Sequence, residues 1–438
     1  MSVKRPAKTF VGFGFGPIQV GLFVHKAVQS GAFERIVIGY RRADVVQQVR
    51  AAAGHIGLNI AHADRVEQMI LGPIEIYNIY DENERDEFVK ALSRADEVAT
   101  ALSSVADYTS INTSVSSTGT SVAAIFAAAF RLRAKTTPKP LIIYTAENHN
   151  HAAEQLQEAI WNKLQSTVSD AKLASLEGTT AFLNTVIGKM CGLIDTQNNP
   201  LMQLTPITPN RSQAFLVEAF DEILVSASPF ERELALIEKP QLLPFEEAKL
   251  YGHNATHALA AYLAQVLEVA DMADLRAVDG LMQWLFDAFV QESGAALICK
   301  YEGIDPLFTP QGYASYARDL LVRMTNPVLQ DSSARVARDP KRKLGWNDRL
   351  IGTLRLALSQ QVNGQQIDAG RYAFGCCAAL DVLGEPYEML ETVWQPDSPE
   401  NDEKLAVLHL MEVALQRYQQ WQAENRPALD IWWQKVAS

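Results

Sequence analysis

Three polar side chains that could do acid–base chemistry stand at the start of a long apolar stretch. They are Lys249, Asn254 and His257 in the segment KLYGHNATHALAAYL. In an α-helix, with about 100° between successive residues, the three would share one broad face of the first turns. Partial burial would lower the pKa of the amine, so that it could exchange a proton near neutral pH. The amide could donate a hydrogen bond to an oxyanion. Helix capping and exposure to solvent are the alternative explanation of this cluster.

The elements that must position these residues differ between the two halves of the chain. In the first half, apolar runs such as KTFVGFGFG, RIVIGY, DEVATAL and PLIIYTAEN alternate with helical patterns, and VEAFDEILVSASPF is predicted as the last strand. Strands separated by helices predict a parallel, doubly wound sheet. From about Pro244 onward the patterns are helical. We therefore predict an α/β Rossmann-type domain with a parallel-rich sheet over residues 1–235 and an all-α domain over residues 236–438.

A glycine-rich loop joins the first predicted strand to the first predicted helix. In FVGFGFGPIQVGLFV the third position of a strict G-x-G-x-x-G pattern is Gln19 rather than glycine. Glycines there permit a tight turn and a close approach of backbone N–H groups to a pyrophosphate. The loop therefore predicts dinucleotide binding, and a tight turn that binds nothing is the alternative. The residues predicted to bind the cofactor at this loop are Gly14, Gly16, Pro17, Ile18 and Gln19.

The end of the second predicted strand bears on the choice of coenzyme. An acidic residue here would bind the ribose hydroxyls of NAD, but the chain has Tyr40 followed by Arg41 and Arg42. Without the carboxylate nothing repels a 2′-phosphate, and a guanidinium can bind that phosphate. We predict a preference for NADP, with NAD as the other choice. Two solvated surface arginines are the alternative explanation.

Composition restricts the partners that the protein could have. The net charge is −12, with 39 basic and 51 acidic residues, which disfavours a nucleic-acid or anionic membrane surface. No apolar segment reaches the length that a membrane span needs, and the four cysteines form no C-x-x-C pair. We expect a cytoplasmic protein, monomeric or a small homo-oligomer, that acts on a small molecule.

Five segments together resemble one family, the polyol-specific long-chain dehydrogenases or mannitol dehydrogenase family. The most specific is PFEEAKLYGHNATHALAAYLA, with its K-x4-N-x2-H signature. The loop GFGPIQVGLF, YTAENHN after a late strand, and FLNTVIGKM follow the family's order along the chain. The stretch RMTNPVLQDSSARVARDPKRKLGWNDRLIG is most similar to the mannitol-1-phosphate 5-dehydrogenase branch.

The resemblance implies an NAD(P)-dependent, metal-independent oxidoreductase that interconverts a sugar alcohol, or a sugar-alcohol phosphate, and the ketose. It implies that Lys249 is the general acid/base, that Asn148 and Asn254 hold the developing oxyanion, and that His257 orients the substrate. Glu246 would relay the proton to water. The active site would lie in the cleft between the two domains.

Departures from the family pattern leave the substrate open. The family's V-D-R is Ile187-Gly188-Lys189 here, and an arginine expected after Asn148 is missing. A dehydrogenase for an unphosphorylated polyol or a sugar acid, or a non-catalytic dinucleotide-binding sensor, are the alternatives. The Ser/Thr-rich segment 103–121 is an addition that we predict to be a surface loop or a lid. The basic stretch around residues 335–349 could hold a phosphate or could be a solvated connection. The residues predicted to contact substrate are His149, Lys189, Arg323, Arg342 and Lys343.

Overall fold

The computed structural model describes residues 8–110, 120–136, 138–197, 203–397 and 400–436. The chain divides into two compact units, Met1–Leu242 and Leu243–Ser438. The division falls between Leu242 and Leu243, whereas the sequence predicted a boundary after residue 235. Most of the predicted Ser/Thr-rich lid, residues 111–119, lies outside the described residues.

The N-terminal unit is built on a mostly parallel sheet. Its strands are β1 (Lys8–Phe13), β2 (Phe33–Tyr40), β3 (Ile56–Ala61), β4 (Val66–Leu71), β5 (Glu75–Asn78), β6 (Glu97–Thr100), β7 (Leu141–Thr145), β8 (Thr180–Val186), β9 (Cys191–Asp195), β10 (Gln213–Glu218), β11 (Leu224–Ser226) and β12 (Ile237–Lys239). Within the described residues the larger sheet has the order β12–β11–β8–β7–β6–β1–β2–β5. The pairs along β8–β7–β6–β1–β2–β5 are all parallel, and β11 pairs with β8 antiparallel. The predicted parallel-rich sheet is confirmed.

Helices cover both faces of this sheet, so its central strands are apolar on both sides. The helices are α1 (His25–Ser30), α2 (Ala43–Ala51), α3 (Glu82–Leu92), α4 (Val122–Arg133), α5 (Ala152–Leu164) and α6 (Asp170–Glu177). Successive residues of one strand enter different cores: Phe10 lies in one and Val11 in the other. Strands buried on both faces give the continuous apolar runs that the sequence shows.

A second, smaller sheet has the order β4–β3–β10–β9. Its strands β3 and β10 pair in parallel, with Leu216 opposite Asn59, and the outer pairs are antiparallel. The stretch predicted as one last strand is in fact β10 of this sheet followed by β11 of the larger one. The sequence analysis did not separate the two sheets.

The C-terminal unit is helical apart from a small hairpin. Its helices are α7 (Leu243–Glu247), α8 (Ala255–Val266), α9 (Leu281–Asp287), α10 (Ala295–Lys300), α11 (Pro310–Met324), α12 (Ser333–Val336), α13 (Pro340–Lys343), α14 (Ile351–Leu358), α15 (Gly370–Leu383), α16 (Met389–Trp394), α17 (Asn401–Ala423) and α18 (Leu429–Val436). The hairpin strands β13 (Gln361–Val362) and β14 (Gln365–Gln366) depart from the all-α prediction. Within residues 243–397 and 400–436, no helix is long and apolar enough to cross a membrane, and the same holds for the helices described before them.

Three helices contain π-helical segments: Gln19–Val24 before α1, Ala248–Asn254 between α7 and α8, and Ala288–Gly294 between α9 and α10. In these segments hydrogen bonds join residues i and i+5, which widens the helix by one residue per turn. The first follows the glycine loop and the second carries Lys249. Such segments occur frequently at functional sites.

Candidate active site

The π-helical segment Ala248–Asn254 changes how Lys249 and Asn254 are related. The spacing analysis assumed an α-helix through this stretch, and that assumption was wrong. Because π-helical hydrogen bonds join residues i and i+5, the five-residue separation places Lys249 and Asn254 one turn apart on the same face. His257 follows in α8, which has regular α-helical geometry. The π turn therefore aligns the amine and the amide more closely than an α-helix would.

Aromatic packing leaves room only for glycine in this turn. A β-carbon at Gly252 would come 2.3 Å from the hydroxyl oxygen of Tyr313 and 2.8 Å from a ring carbon of Phe289. Tyr313 lies on α11, and Phe289 lies on the π-helical segment Ala288–Gly294. The rings of Tyr313 and Phe289 meet edge to face with centroids 5.6 Å apart. The turn that carries Lys249 is thus held from outside by two other helical elements.

Lys249 has the electrostatics of a proton-transfer group. Burial, followed by the positive charge of Arg349, lowers the pKa of Lys249 from its usual 10.5 to about 8. The carboxylate of Glu246, which is buried three residues earlier in the same helix, acts in the opposite direction. An amine with a pKa near 8 is present in both protonation states near neutral pH, as an acid/base group requires.

His257 is held close to a carboxylate that the sequence analysis missed. Its Nε2 lies 3.9 Å from Oδ2 of Asp331, which is almost fully buried. Arg335 donates two hydrogen bonds to the same carboxylate, at 2.7 and 2.5 Å. Burial lowers the pKa of His257 to about 4, against the effect of Asp331. The imidazole is therefore neutral at physiological pH, and the nearby carboxylate favours the tautomer protonated on Nε2.

The predicted basic cluster separates into buried and exposed cations. Lys343 is buried, donates to the carbonyl of Val336 and lies 5.4 Å from the ring centre of Tyr262. Burial and the charges of Arg349 and Arg342 lower the pKa of Lys343 to about 8. Arg342 is half exposed and bonds Asp348 at 3.0 Å.

Three further cations of the C-terminal unit also have acidic neighbours. Arg349 bonds the other oxygen of Asp348 at 2.8 Å. Lys341 pairs with Glu385 at 3.2 Å, and Arg323 with Asp319 at 3.2 Å. Acidic residues scattered through the sequence thus neutralise much of what looks like a single basic stretch.

The N-terminal unit has a cleft at the carboxyl ends of β1, β2 and β6, where open α/β sheets bind their ligands. Its volume is about 190 Å³. The lining residues include Gly14, Phe15, Gly16, Gly39, Tyr40, Arg41, Ile79, Tyr80, Ala101, Leu102, Ser103, Asp107, Ser110, Thr120, Val122 and Ile125. Gly14 has a φ of +96°, and a β-carbon there would come 2.5 Å from the carbonyl oxygen of Ala101. The loop backbone is therefore close to the cleft floor, which suits a dinucleotide.

Four other residues predicted to bind the cofactor are not among those that line the cleft, and their role stays a prediction. Gln19 is fully buried, and its amide atoms have no hydrogen-bond partner within the described residues. Pro17 and Ile18 are not among the residues named above as lining the cleft. Arg42 is half exposed and pairs with Asp44 at 2.7 Å. Arg41 is thus better placed than Arg42 to meet a bound nucleotide.

Asn148, His149 and Lys189 follow the carboxyl ends of β7 and β8. Asn148 and His149 are exposed, and His149 accepts a hydrogen bond from the backbone N–H of His151 at 3.1 Å. Lys189 is buried, donates to the carbonyl of Phe220 at 2.6 Å and lies 4.0 Å from Asp221. Contact of these residues with substrate stays a prediction. Among the described residues no three His, Cys, Asp or Glu side chains group as metal ligands would, and the absence of a metal stays a prediction.

Family models match nearly all of the described N-terminal unit and the C-terminal unit as far as residue 391. The Mannitol dehydrogenase Rossmann domain matches residues 8–239, and the Mannitol dehydrogenase C-terminal domain matches residues 241–391. The chain belongs to the mannitol dehydrogenase family. The resemblance found in the sequence is confirmed, and so is the prediction of a Rossmann-type domain followed by a helical one. The predicted enzyme class, a polyol dehydrogenase, is confirmed at the level of the family.

Two relatives are named mannitol-1-phosphate 5-dehydrogenase. The one from Brevibacillus brevis is 30% identical over 250 residues, which is 56% of this chain and 59% of the relative. The one from Geobacillus thermodenitrificans is 27% identical over 345 residues, covering 78% of this chain and 79% of the relative. The first match thus spans less than two thirds of that relative's length.

Two solved structures share the fold. A D-sorbitol dehydrogenase in substrate-free form superposes with a TM-score of 0.71 at 14% identity, covering 98% of each chain. A mannitol 2-dehydrogenase from Pseudomonas fluorescens, solved with NAD and D-mannitol, gives a TM-score of 0.64 at 13% identity, covering 98% of this chain and 91% of that one. At these identities the likeness concerns the fold of this chain.

Proposed function

We propose that the protein is an NAD(P)-dependent, metal-independent dehydrogenase that interconverts a sugar alcohol, or its phosphate, and the ketose. One observation carries the proposal: an amine with a pKa of about 8, Lys249, shares a face of a π-helical turn with Asn254 and precedes His257. Membership of the mannitol dehydrogenase family supports the same reaction class.

In the direction of oxidation, the neutral amine of Lys249 takes the proton of the reacting hydroxyl. The amide of Asn254 donates a hydrogen bond to the oxygen as negative charge develops on it. His257, neutral and with its Nε2 3.9 Å from Asp331, orients the same oxygen. Bound NAD or NADP supplies the hydride acceptor. The family resemblance also implies that Asn148 helps to hold the developing oxyanion.

Glu246 is the group best suited to move the proton onward from Lys249. It is buried, it precedes Lys249 by three residues, and its charge acts on the pKa of that lysine. A carboxylate beside the amine can accept a proton and pass it to water.

For the coenzyme we propose a preference for NADP. Tyr40 and Arg41 line the cleft at the end of β2, where an acidic residue would repel a 2′-phosphate. Within the described residues Arg41 forms no ion pair, whereas Arg42 pairs with Asp44. NAD is the alternative coenzyme.

For the substrate we propose a sugar-alcohol phosphate, such as mannitol 1-phosphate. The similarity to the two mannitol-1-phosphate 5-dehydrogenases supports it. Lys343, whose charge acts on His257, is the cation best suited to meet a phosphate, because Arg349 is bound to Asp348.

A substrate panel tests the proposal. Full-length protein is mixed with mannitol 1-phosphate, mannitol or sorbitol and with NAD or NADP, and the absorbance of the reduced nicotinamide is followed. We expect turnover with mannitol 1-phosphate and a higher kcat/KM for NADP than for NAD. Turnover of mannitol or sorbitol alone would identify an unphosphorylated polyol as the substrate. Nucleotide binding without any turnover would contradict the proposed activity and favour a sensor.

A further inference from the structure

Glu147 is a buried carboxylate that the reaction described above does not use. It follows β7 and precedes Asn148, and its side chain is 5% exposed. Burial raises the pKa of Glu147. A carboxylate is costly to bury unless its oxygens are hydrogen-bonded. Its partners therefore indicate what the side chain is for.

The three groups that donate to the Glu147 side chain lie at the end of β6 and in the loop that follows it. Oε1 accepts a hydrogen bond from the backbone N–H of Leu102 at 2.9 Å. Oε2 accepts one from the hydroxyl of Thr100 at 2.9 Å and another from the hydroxyl of Tyr108. Tyr108 is itself buried, at the end of the short 3₁₀ turn Val105–Tyr108. One carboxylate thus accepts hydrogen bonds from the last residue of β6 and from two residues of the loop that follows.

This loop forms one wall of the nucleotide cleft. Leu102 lines the cleft together with its neighbours Ala101 and Ser103, and Asp107 lines it just before Tyr108. Without Glu147, the partly buried N–H of Leu102 and the buried hydroxyl of Tyr108 would lose their acceptor, and the wall would have to rearrange.

We propose that Glu147 is a positioning residue that couples the wall of the nucleotide cleft to the peptide carrying Asn148. Because its side chain is fixed at three points, the backbone from which Asn148 extends is fixed with it. The effect on turnover rests on the proposed function of Asn148. The effect on nucleotide binding does not depend on it.

Glu97 provides a matched control within the same unit. It is 2% exposed, lies on β6, and burial raises its pKa as well. It accepts a hydrogen bond from the hydroxyl of Tyr144 at 2.8 Å, and others from the backbone N–H groups of Glu233 and Leu234. None of these partners is among the residues that line the cleft. Glu97→Gln therefore reproduces the loss of a buried carboxylate without touching the cleft wall.

The experiment compares full-length wild type, Glu147→Gln, Glu147→Ala and Glu97→Gln. Thermal unfolding gives Tm, nicotinamide fluorescence gives the Kd of NADH, and the substrate panel gives kcat. We expect similar losses of Tm for the two glutamine variants. Only the Glu147 variants should bind NADH more weakly, by about tenfold for Glu147→Gln and more for Glu147→Ala, since a single glutamine oxygen cannot serve all three donors. Their kcat should fall as well, while Glu97→Gln keeps both within about twofold.

An NADH Kd of the Glu147 variants equal to that of Glu97→Gln would overturn the inference. Should the Glu147 variants fail to fold, Tyr108→Phe removes one of the three donors and keeps the carboxylate. It should weaken NADH binding a few-fold, and an unchanged Kd would overturn the inference. A weakened Kd in a protein that turns over no polyol would support the cleft contacts and contradict the proposed function.

Discussion

At the scale of single residues, the lowered pKa that suits Lys249 to proton transfer also reduces the stability of the folded protein. Its pKa is about 8 in the folded protein against 10.5 in its unperturbed state. Between these two values the unfolded chain binds more protons than the folded protein, so the stability that this group contributes increases as the pH rises from about 8 to 10.5. At neutral pH the partly desolvated ammonium of Lys249 is therefore a net cost to the fold.

Replacing Lys249 by methionine should stabilise the protein while it removes the acid/base group. At pH 7 we expect the free energy of unfolding of Lys249→Met to rise by roughly 1 to 2 kcal/mol, measured by urea denaturation, with a smaller gain at pH 10. Lys300→Met is the control, because Lys300 is more exposed and pairs with Glu247 at 2.7 Å. A loss of stability for Lys249→Met at pH 7 would contradict the lowered pKa.

Lys343 and Lys341 differ in burial although they stand two residues apart. If Lys343 meets a substrate phosphate, Lys343→Met should raise the KM for mannitol 1-phosphate by about tenfold or more. Lys341→Met should leave it unchanged, since Lys341 is 58% exposed and pairs with Glu385. Steady-state kinetics of both variants measure this difference. Equal KM values for the two variants would exclude Lys343 as the phosphate ligand.

Asp331 lies 3.9 Å from Nε2 of His257 and is bound by Arg335. Asp331→Asn keeps the shape of the side chain but removes the charge that favours the Nε2 tautomer. We expect kcat/KM for the polyol to fall by roughly tenfold with no change in the NADH Kd. Substrate kinetics and nucleotide fluorescence provide the two values. A wild-type kcat/KM would mean that the imidazole needs no such orientation.

The sequence could group residues of the candidate site only where one helical stretch carries them, and their roles stay predictions. Lys249, Asn254 and His257 are close in sequence, so a helical period alone relates them. Asp331 and Arg349 influence the pKa values of His257 and Lys249 from elements far along the chain. No local sequence pattern predicts such contacts. The burial of Gln19, which was predicted to bind the cofactor, likewise results from packing.

At the scale of elements, the π turn is the feature that α-helical periodicity could not anticipate. The backbone at Gly252 is crowded by Tyr313 and Phe289, which come from elsewhere in the C-terminal unit. The extra residue of the turn is thus a response to tertiary packing. It sets the relative direction of Lys249 and Asn254.

A β-carbon at position 252 should disturb this turn. Gly252→Ala would collide with the Tyr313 hydroxyl oxygen at 2.3 Å, and we expect kcat to fall by about tenfold or more while NADH binding is kept. Tyr313→Phe alone should be close to wild type. The double variant should regain part of the lost kcat, because the nearest colliding atom is gone. Full activity of Gly252→Ala, measured on the substrate panel, would show that the turn does not matter.

The sequence predicted some strands of the first half but neither their full number nor their grouping into sheets. Alternating strands and helices gave β1, β2, β6 and β7 of the larger sheet. The smaller sheet pairs β3 with β10, which are about 150 residues apart in the chain. Which sheet a strand joins depends on such distant pairing, so local patterns merged β10 with β11.

At the scale of the whole molecule, an acidic chain brings several cations of the C-terminal unit close enough to act on one another's pKa. The net charge is −12, yet the positive charge of Arg349 lowers the pKa of both Lys249 and Lys343. Composition predicted the overall charge and disfavoured polyanionic partners. It could not predict that Asp331, Asp348 and Glu385 would neutralise most of the basic stretch and leave Lys343 as the buried cation.

The central claim is that Lys249 exchanges the proton during polyol oxidation, and one comparison tests it most directly. The kcat of full-length Lys249→Ala is measured with the polyol that wild type turns over best, alongside the Kd of NADH. We predict a fall in kcat of about a thousandfold or more with an NADH Kd within twofold of wild type. A kcat within tenfold of wild type would contradict the claim.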